Sequence, residues 1–188
     1  AKFNADVISG QTELAAEPAD TDEFLVSDAG VLKRVDYSLI KGGTDFVGFK
    51  AFASASQSIS SQTTTVITFG GEEYDVGSNF ASNTFTAPSA GKYLLYTIVT
   101  IGALGSTTVD IKFQHTLASD SSTETGSSTR MGPMDTSARD GAVNMTAILD
   151  MAANDTVDVR MFIFAAKTLF GDSTAGNSPT TFGGFKIG

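Results

Sequence analysis

The stretch that most constrains this chain is Phe85 to Ile101, FTAPSAGKYLLYTIVTI. A short extended piece, Thr84-Phe85-Thr86, leads into a turn at Ala87-Pro88-Ser89-Ala90-Gly91, where Pro fixes φ and Gly permits a positive φ. Lys92 to Ile101 follow, rich in β-branched and aromatic side chains that suit a pleated surface. Tyr93, Leu95, Val99 and Ile101 alternate onto one face, and Leu94, Tyr96 and Ile98 onto the other. A strand that is apolar on both faces needs cover on both. One face can enter the subunit core. The other requires a second sheet or a second subunit. A helix is opposed by the β-branched content and by the turn signals on both sides, ending in Gly102.

Composition extends this to the whole chain. The 19 glycines, many Ser and Thr, and the lack of a long helical apolar pattern point to an all-β protein with many turns. A length of 188 residues allows one ordinary domain plus an arm. There is no Cys, so neither a disulfide framework nor a zinc–thiolate site is available. No run of about 18 apolar residues occurs that could span a membrane as a helix, and membrane insertion is not expected. The first residues carry no basic-then-apolar signal. The net charge of −9 disfavours nucleic acid and anionic lipid as partners.

That charge is uneven. Residues 1–48 hold nine acids and four bases, whereas the 140 residues of 49–188 hold twelve and eight. The first part also has only three of the fourteen Phe. A boundary is expected at Gly42-Gly43, giving an N-terminal arm over 1–43 and a head over 44–188. Within 1–23 the apolar residues Phe3, Val7, Ile8 and Leu14 are too sparse to close a core, so this segment is expected to be extended and ordered by a partner. Phe24-Leu25-Val26, Ser27-Asp28-Ala29-Gly30 and Val31 to Val35 read as a small hairpin, with Asp36 capping one helical turn through Ile40.

From Phe49 the pattern is strand after strand: Phe49–Ser56, Thr64–Phe69, then a turn at Gly70-Gly71 leading into the acidic cluster Glu72, Glu73 and Asp75. After the Lys92–Ile101 strand, residues 109–117 alternate, with Val109, Ile111, Phe113, His115 and Leu117 on the inward face. Residues 118–140 are polar and read as a long surface loop. Ala142–Leu149 and Thr156–Phe164 are strands, 171–180 is a loop, and Thr181–Ile187 closes the chain. Eight or more short strands suggest a two-sheet antiparallel sandwich, a jelly roll of about ten strands.

These residues resemble the globular head of complement first component q, within the tumour necrosis factor-like jelly rolls. The resemblance runs over 49–188. It rests on Phe52-Ala53-Ser54-Ala55, on the Phe69, Asp75 and Phe80 spacing, on Phe85, Gly91 and Tyr93, on Leu149 with Val157-Asp158-Val159, and on Phe182-Gly183-Gly184-Phe185. Phe80 to Phe85 is two residues shorter than the family interval, and Leu95 and Thr97 stand where the family prefers aromatics. The resemblance implies a compact homotrimer in which Phe85, Tyr93, Leu95, Tyr96, Phe182 and Phe185 form the core and trimer strands. Some related heads hold calcium near the apex, but the resemblance assigns no ligand set here.

The arm run DEFLVSDAGVLKRVDYSLI resembles segments of tail-fibre and other virion proteins of tailed bacteriophages. Together the two resemblances imply a virion structural protein. The favoured form is a capsid decoration or head-fibre trimer, held to capsid protein through Phe3, Val7, Ile8, Leu14, Phe24 and Leu25. The alternative is a tail-fibre or spike tip whose loops bind a host surface glycan or protein.

Chemistry is thinly supplied. His115 is the sole His and sits on an inward face, so it reads as a core or interface residue. Asp20, Asp22 and Glu23, like Asp120, Glu124, Asp135 and Asp140, read as solvated carboxylates; a structural cation is the one cofactor the acidic groups leave open. Neither Gly42-Gly43 nor Gly70-Gly71 carries the Lys-Ser/Thr of a phosphate loop. No acid pair with a supporting shell is identifiable, and no enzymatic activity is expected.

Overall fold

Alternating β-branched and aromatic side chains, interrupted every few residues by Gly, Ser or Asn, leave the backbone to pair strand with strand. The computed structural model describes residues 10, 12–41, 46–132 and 139–188, which fall in two compact units, 1–45 and 46–188. Phe3, Val7, Ile8, Gly42-Gly43 and Asp135 lie outside the described residues.

In the first unit β1 (Glu23–Asp28) pairs antiparallel with β2 (Val31–Asp36). Their two-residue loop places both Ala29 (φ 49°) and Gly30 (φ 82°) in the left-handed region, as a tight hairpin matched to strand twist demands. The one-turn helix α1 (Tyr37–Ile40) follows. Asp36 stands at its N-cap but makes no side-chain capping bond, which corrects the expected role. The turn is instead tied down by backbone: the Tyr37 N–H donates to the Asp22 carbonyl at 2.7 Å. No residue of either strand is buried.

The second unit contains β3 (Gly48–Phe52), β4 (Gln57–Ile59), β5 (Thr65–Val66), β6 (Gly71–Val76), β7 (Phe80–Ala81), β8 (Thr84–Thr86), β9 (Gly91–Ile101) and β10 (Val109–Thr116). It continues through β11 (Thr123–Met131), β12 (Gly141–Met151), β13 (Thr156–Ile163), β14 (Lys167–Leu169) and β15 (Thr181–Lys186). One sheet runs β12-β9-β15-β3-β6, with β14 and β4 joined at the Ile101 end of β9. The other runs β11-β10-β13-β8-β7, with β5 against β13. All pairings are antiparallel, and the two sheets form a jelly-roll sandwich. The strand segments outnumber the ten expected because the ladders include pieces of two or three residues, β4, β5, β7, β8 and β14.

Further expectations fail. The strands expected over Phe49–Ser56 and Thr64–Phe69 shorten to β3, ending at Phe52, and to Thr65–Val66. The polar segment 118–140 is not simply a loop: β11 pairs along the whole of β10, its backbone satisfied by the ladder although its side chains are mostly exposed. Gly71 to Asp75 is not a turn but the greater part of β6, an edge strand on β3. The core lies between the sheets. Phe182 from β15 touches the rings of Phe49, Phe69, Phe80 and Phe113 at centroid distances of 4.9, 5.6, 5.9 and 5.7 Å. Val157, Val159, Met161 and Ile163 line the facing side of β13, all fully buried. The Asp75 carboxylate accepts from the N–H groups of Asn79 and Phe80, fixing the corner from which Phe80 enters the core.

Candidate functional site

Strand β9 divides as its alternation requires. Tyr93, Leu95, Val99 and Ile101 are fully buried between the sheets, and the Tyr93 hydroxyl donates to the Ser89 carbonyl at 2.7 Å. Leu94 and Tyr96 point the other way and are half-buried, while Ile98 is 40% exposed. The residues named from sequence therefore separate. Phe85, Tyr93, Leu95 and Phe182 lie inside the subunit, where no partner reaches them, whereas Tyr96 and Phe185 belong to the open face.

Register builds that face into rows. Ile148 on β12 stands beside Leu94, then Phe185, then Gly48, then Val76 on β6. The next row runs Thr146, Tyr96, Gly183, Lys50 and Tyr74. Ile148 is 58% exposed and Val76 44%, a contiguous apolar area of the kind that marks an interaction surface. Glycines let rings lie flat here: a Cβ on Gly183 would come within 2.5 Å of the Tyr96 hydroxyl, and one on Gly48 within 2.5 Å of the Phe46 ring. Ile148, Val76, Tyr74, Phe46 and Lys50 were not picked out from the sequence.

A polar cluster lies beside the apolar row, toward the β6 edge of the sheet. Lys50 donates to both carboxylate oxygens of Glu73, at 2.8 and 2.9 Å. That bond holds the Lys50 ammonium above its usual range, although partial burial works the other way. Burial first, and then the neighbouring Tyr74 phenol, raise the Tyr96 hydroxyl above the ordinary tyrosine range against the pull of Lys50. The face thus offers apolar side chains beside a paired charge and two phenols.

His115 is buried on the inward face of β10, and its Nε2 lies 3.0 Å from Asp155 Oδ2. Burial alone would raise the Asp155 carboxyl; the N–H groups of Ala118 and Ala152 and the His115 ring together hold it below the usual range. This clamp joins the turn after β10 to the turn between β12 and β13. It is structural, with no opening toward solvent at either residue.

The other carboxylates singled out from sequence are used locally. Asp20 pairs with Lys41, Glu23 with Arg34, Asp120 accepts from the Ser122 N–H, and Asp140 from the Ala103 N–H. Among the described residues no group of three or more acidic or His side chains is placed to hold a metal ion. In the first unit Leu14, Phe24 and Leu25 are exposed, Leu25 at 69%.

No family model matches the sequence, and no curated protein does. Solved structures match the fold. Eiger TNF from S. frugiperda superposes with a TM-score of 0.61 at 15% identity, covering 77% of this chain and 94% of that one. Murine APRIL gives 0.57 at 15% identity over 76% and 99%. The globular domain of zebrafish complement 1qA gives 0.52 at 19% identity over 76% and 98%. At these identities the likeness establishes the architecture: the body is a jelly roll of the tumour necrosis factor and complement-head type.

Proposed function

We propose that this protein is a structural virion component of a tailed bacteriophage, a decoration or head-fibre homotrimer anchored by its N-terminal unit. The observation that carries the self-association is the open face around Tyr96. Leu94, Ile98, Ile148, Phe185 and Val76 are apolar, adjacent and incompletely covered within one subunit. Covering them with a second copy removes apolar surface from water and encloses the Lys50–Glu73 pair. The resemblance of residues 49–188 to complement-type heads implies three copies.

The anchoring role rests on the first unit. An isolated hairpin is marginal in water, and this one leaves Leu25, Val31 and Leu32 exposed, with no buried side chain among the described residues of its unit. Such a segment gains order by adding to a partner surface. Three weak anchors on one trimer hold together, because the second and third bind at high effective concentration and can raise retention by roughly 10²–10⁴. The resemblance of residues 20–40 to phage virion segments names the partner class, with capsid protein favoured.

Antibody-gold labelling of intact particles tests the assignment. Label over the head supports it; label at the tail tip replaces it with the host-binding alternative, and no label on particles removes the virion role. A protein lacking residues 1–41 is expected to keep its oligomeric state and lose attachment to particles.

A further inference from the structure

We propose that the outer face of the second sheet carries a binding site for a carboxylate-bearing sugar, centred on Lys112. This site lies on the sheet opposite the self-association face, so it stands or falls independently of the trimer. A groove of about 410 Å³ runs there between β10, β11 and β13, lined in part by Lys112, Ser128, Thr129, Arg130, Arg160 and Phe162. That volume falls within the roughly 300–1,000 Å³ common for small-molecule sites.

The charge arrangement is the anomaly. Lys112 sits directly opposite Arg160 in the β10–β13 ladder. Like charges in facing positions destabilise a sheet. Arg160 is held by Asp158, with Nε at 2.7 Å and Nη2 at 2.8 Å. Arg130 is held in the same two-pronged way by Asp110. Lys112 alone has no acidic partner among the described residues. In a chain of net charge −9, three cations gathered on one groove against two carboxylates leave one positive charge without a fold-level reason.

The remaining donors define the ligand. A single carboxylate matches the one unbalanced ammonium. Each arginine engages its aspartate through Nε and Nη2, which leaves Nη1 able to donate to ligand oxygens. The hydroxyls of Thr64, Thr125 and Ser128 suit sugar hydroxyls. Phe162, packed edge-on to Phe164 at 5.2 Å, offers a ring to the C–H face of a pyranose. A dense polyanion such as nucleic acid or a polysulfate fits poorly, because the groove is nearly neutralised and the protein as a whole repels it.

The test is a nitrogen-15 amide titration of the full chain with D-glucuronate, its methyl ester, glucose and inorganic phosphate. Glucuronate is expected to move amides around Lys112, Ser128 and Arg160, with the ester and glucose at least tenfold weaker. Lys112→Gln should retain the native spectrum and lose at least tenfold in glucuronate affinity; Phe162→Leu should weaken glucuronate while leaving any phosphate binding unchanged. The proposal is overturned if glucuronate moves no groove amide, if the ester binds equally, or if Lys112→Gln binds like the parent. Phosphate binding as tightly as glucuronate also overturns it, by making the groove a general anion site.

Discussion

Replacing Lys50 by Met separates a covered charge pair from a wet one. In a single subunit the Lys50 and Glu73 side chains are 29% and 24% exposed. A pair that accessible contributes only about 0–1 kcal/mol, so Lys50→Met should barely move the stability of an isolated subunit. If a second copy covers the face, the same substitution strands the Glu73 carboxylate away from water. Breaking a buried pair from one side costs about 3–5 kcal/mol. At about 1.4 kcal/mol per decade, even the lower figure weakens association roughly a hundredfold. The double substitution Lys50→Met with Glu73→Leu removes both charges and should restore association, neutral or better by about 1–4 kcal/mol. Sedimentation over a dilution series, on the parent and the two variants, reads the dissociation midpoints directly. Equal midpoints for the parent and Lys50→Met would refute the coverage of this face, as would a double variant no better than the single.

Three further outcomes follow from the geometry. Tyr93→Ala should destabilise the subunit by about 3–5 kcal/mol, and Tyr93→Phe by about 1 kcal/mol for the lost bond to Ser89, both read from urea unfolding. Asp155→Asn should cost about 2–4 kcal/mol at neutral pH, since charge-assisted bonds are worth about 1.5–3 kcal/mol each and the amide oxygen replaces only part of them. Because the folded Asp155 carboxyl titrates below its unfolded range, its contribution is complete above about pH 4 and fades as acid takes the pH down through the folded value; the gap between parent and Asp155→Asn should therefore narrow at low pH. Lys112→Gln should be neutral or stabilising by up to about 0.5 kcal/mol, because it removes the facing cation from Arg160; a clear loss of melting temperature would mean that Lys112 serves the fold.

Much of the sandwich was legible because its central strands announce themselves. Lys92–Ile101 carried its two faces openly, and the strands read over 109–117 and 156–164 overlie β10 and β13 to within a residue. Strand β11 was not legible, because Thr, Ser and Gly give no apolar period and the strand is held by backbone bonds to β10. Strand β6 was hidden in the same way by Glu72 and Glu73 at an edge. The open face was only half visible. Leu94, Tyr96 and Ile98 could be read from one strand, but Ile148, Tyr74 and Val76 join them only through register across five strands. The glycine pair 183–184 carried a signal of a different kind, since its role is to let the Tyr96 ring and the Leu95 side chain approach the backbone closely. The partner of His115 could not be read either: Asp155 lies 40 residues away and meets it only once both turns are folded.

The mass of the full-length protein in dilute solution, by light scattering, bears most directly on the central claim that copies of this chain shelter one another's outward β9 face. The expected value is about three times the 19.5 kDa of one chain, falling to a single chain in a folded Ile98→Asp variant. A parent of single-chain mass, with its melting transition unaffected by Ile98→Asp, would contradict the claim.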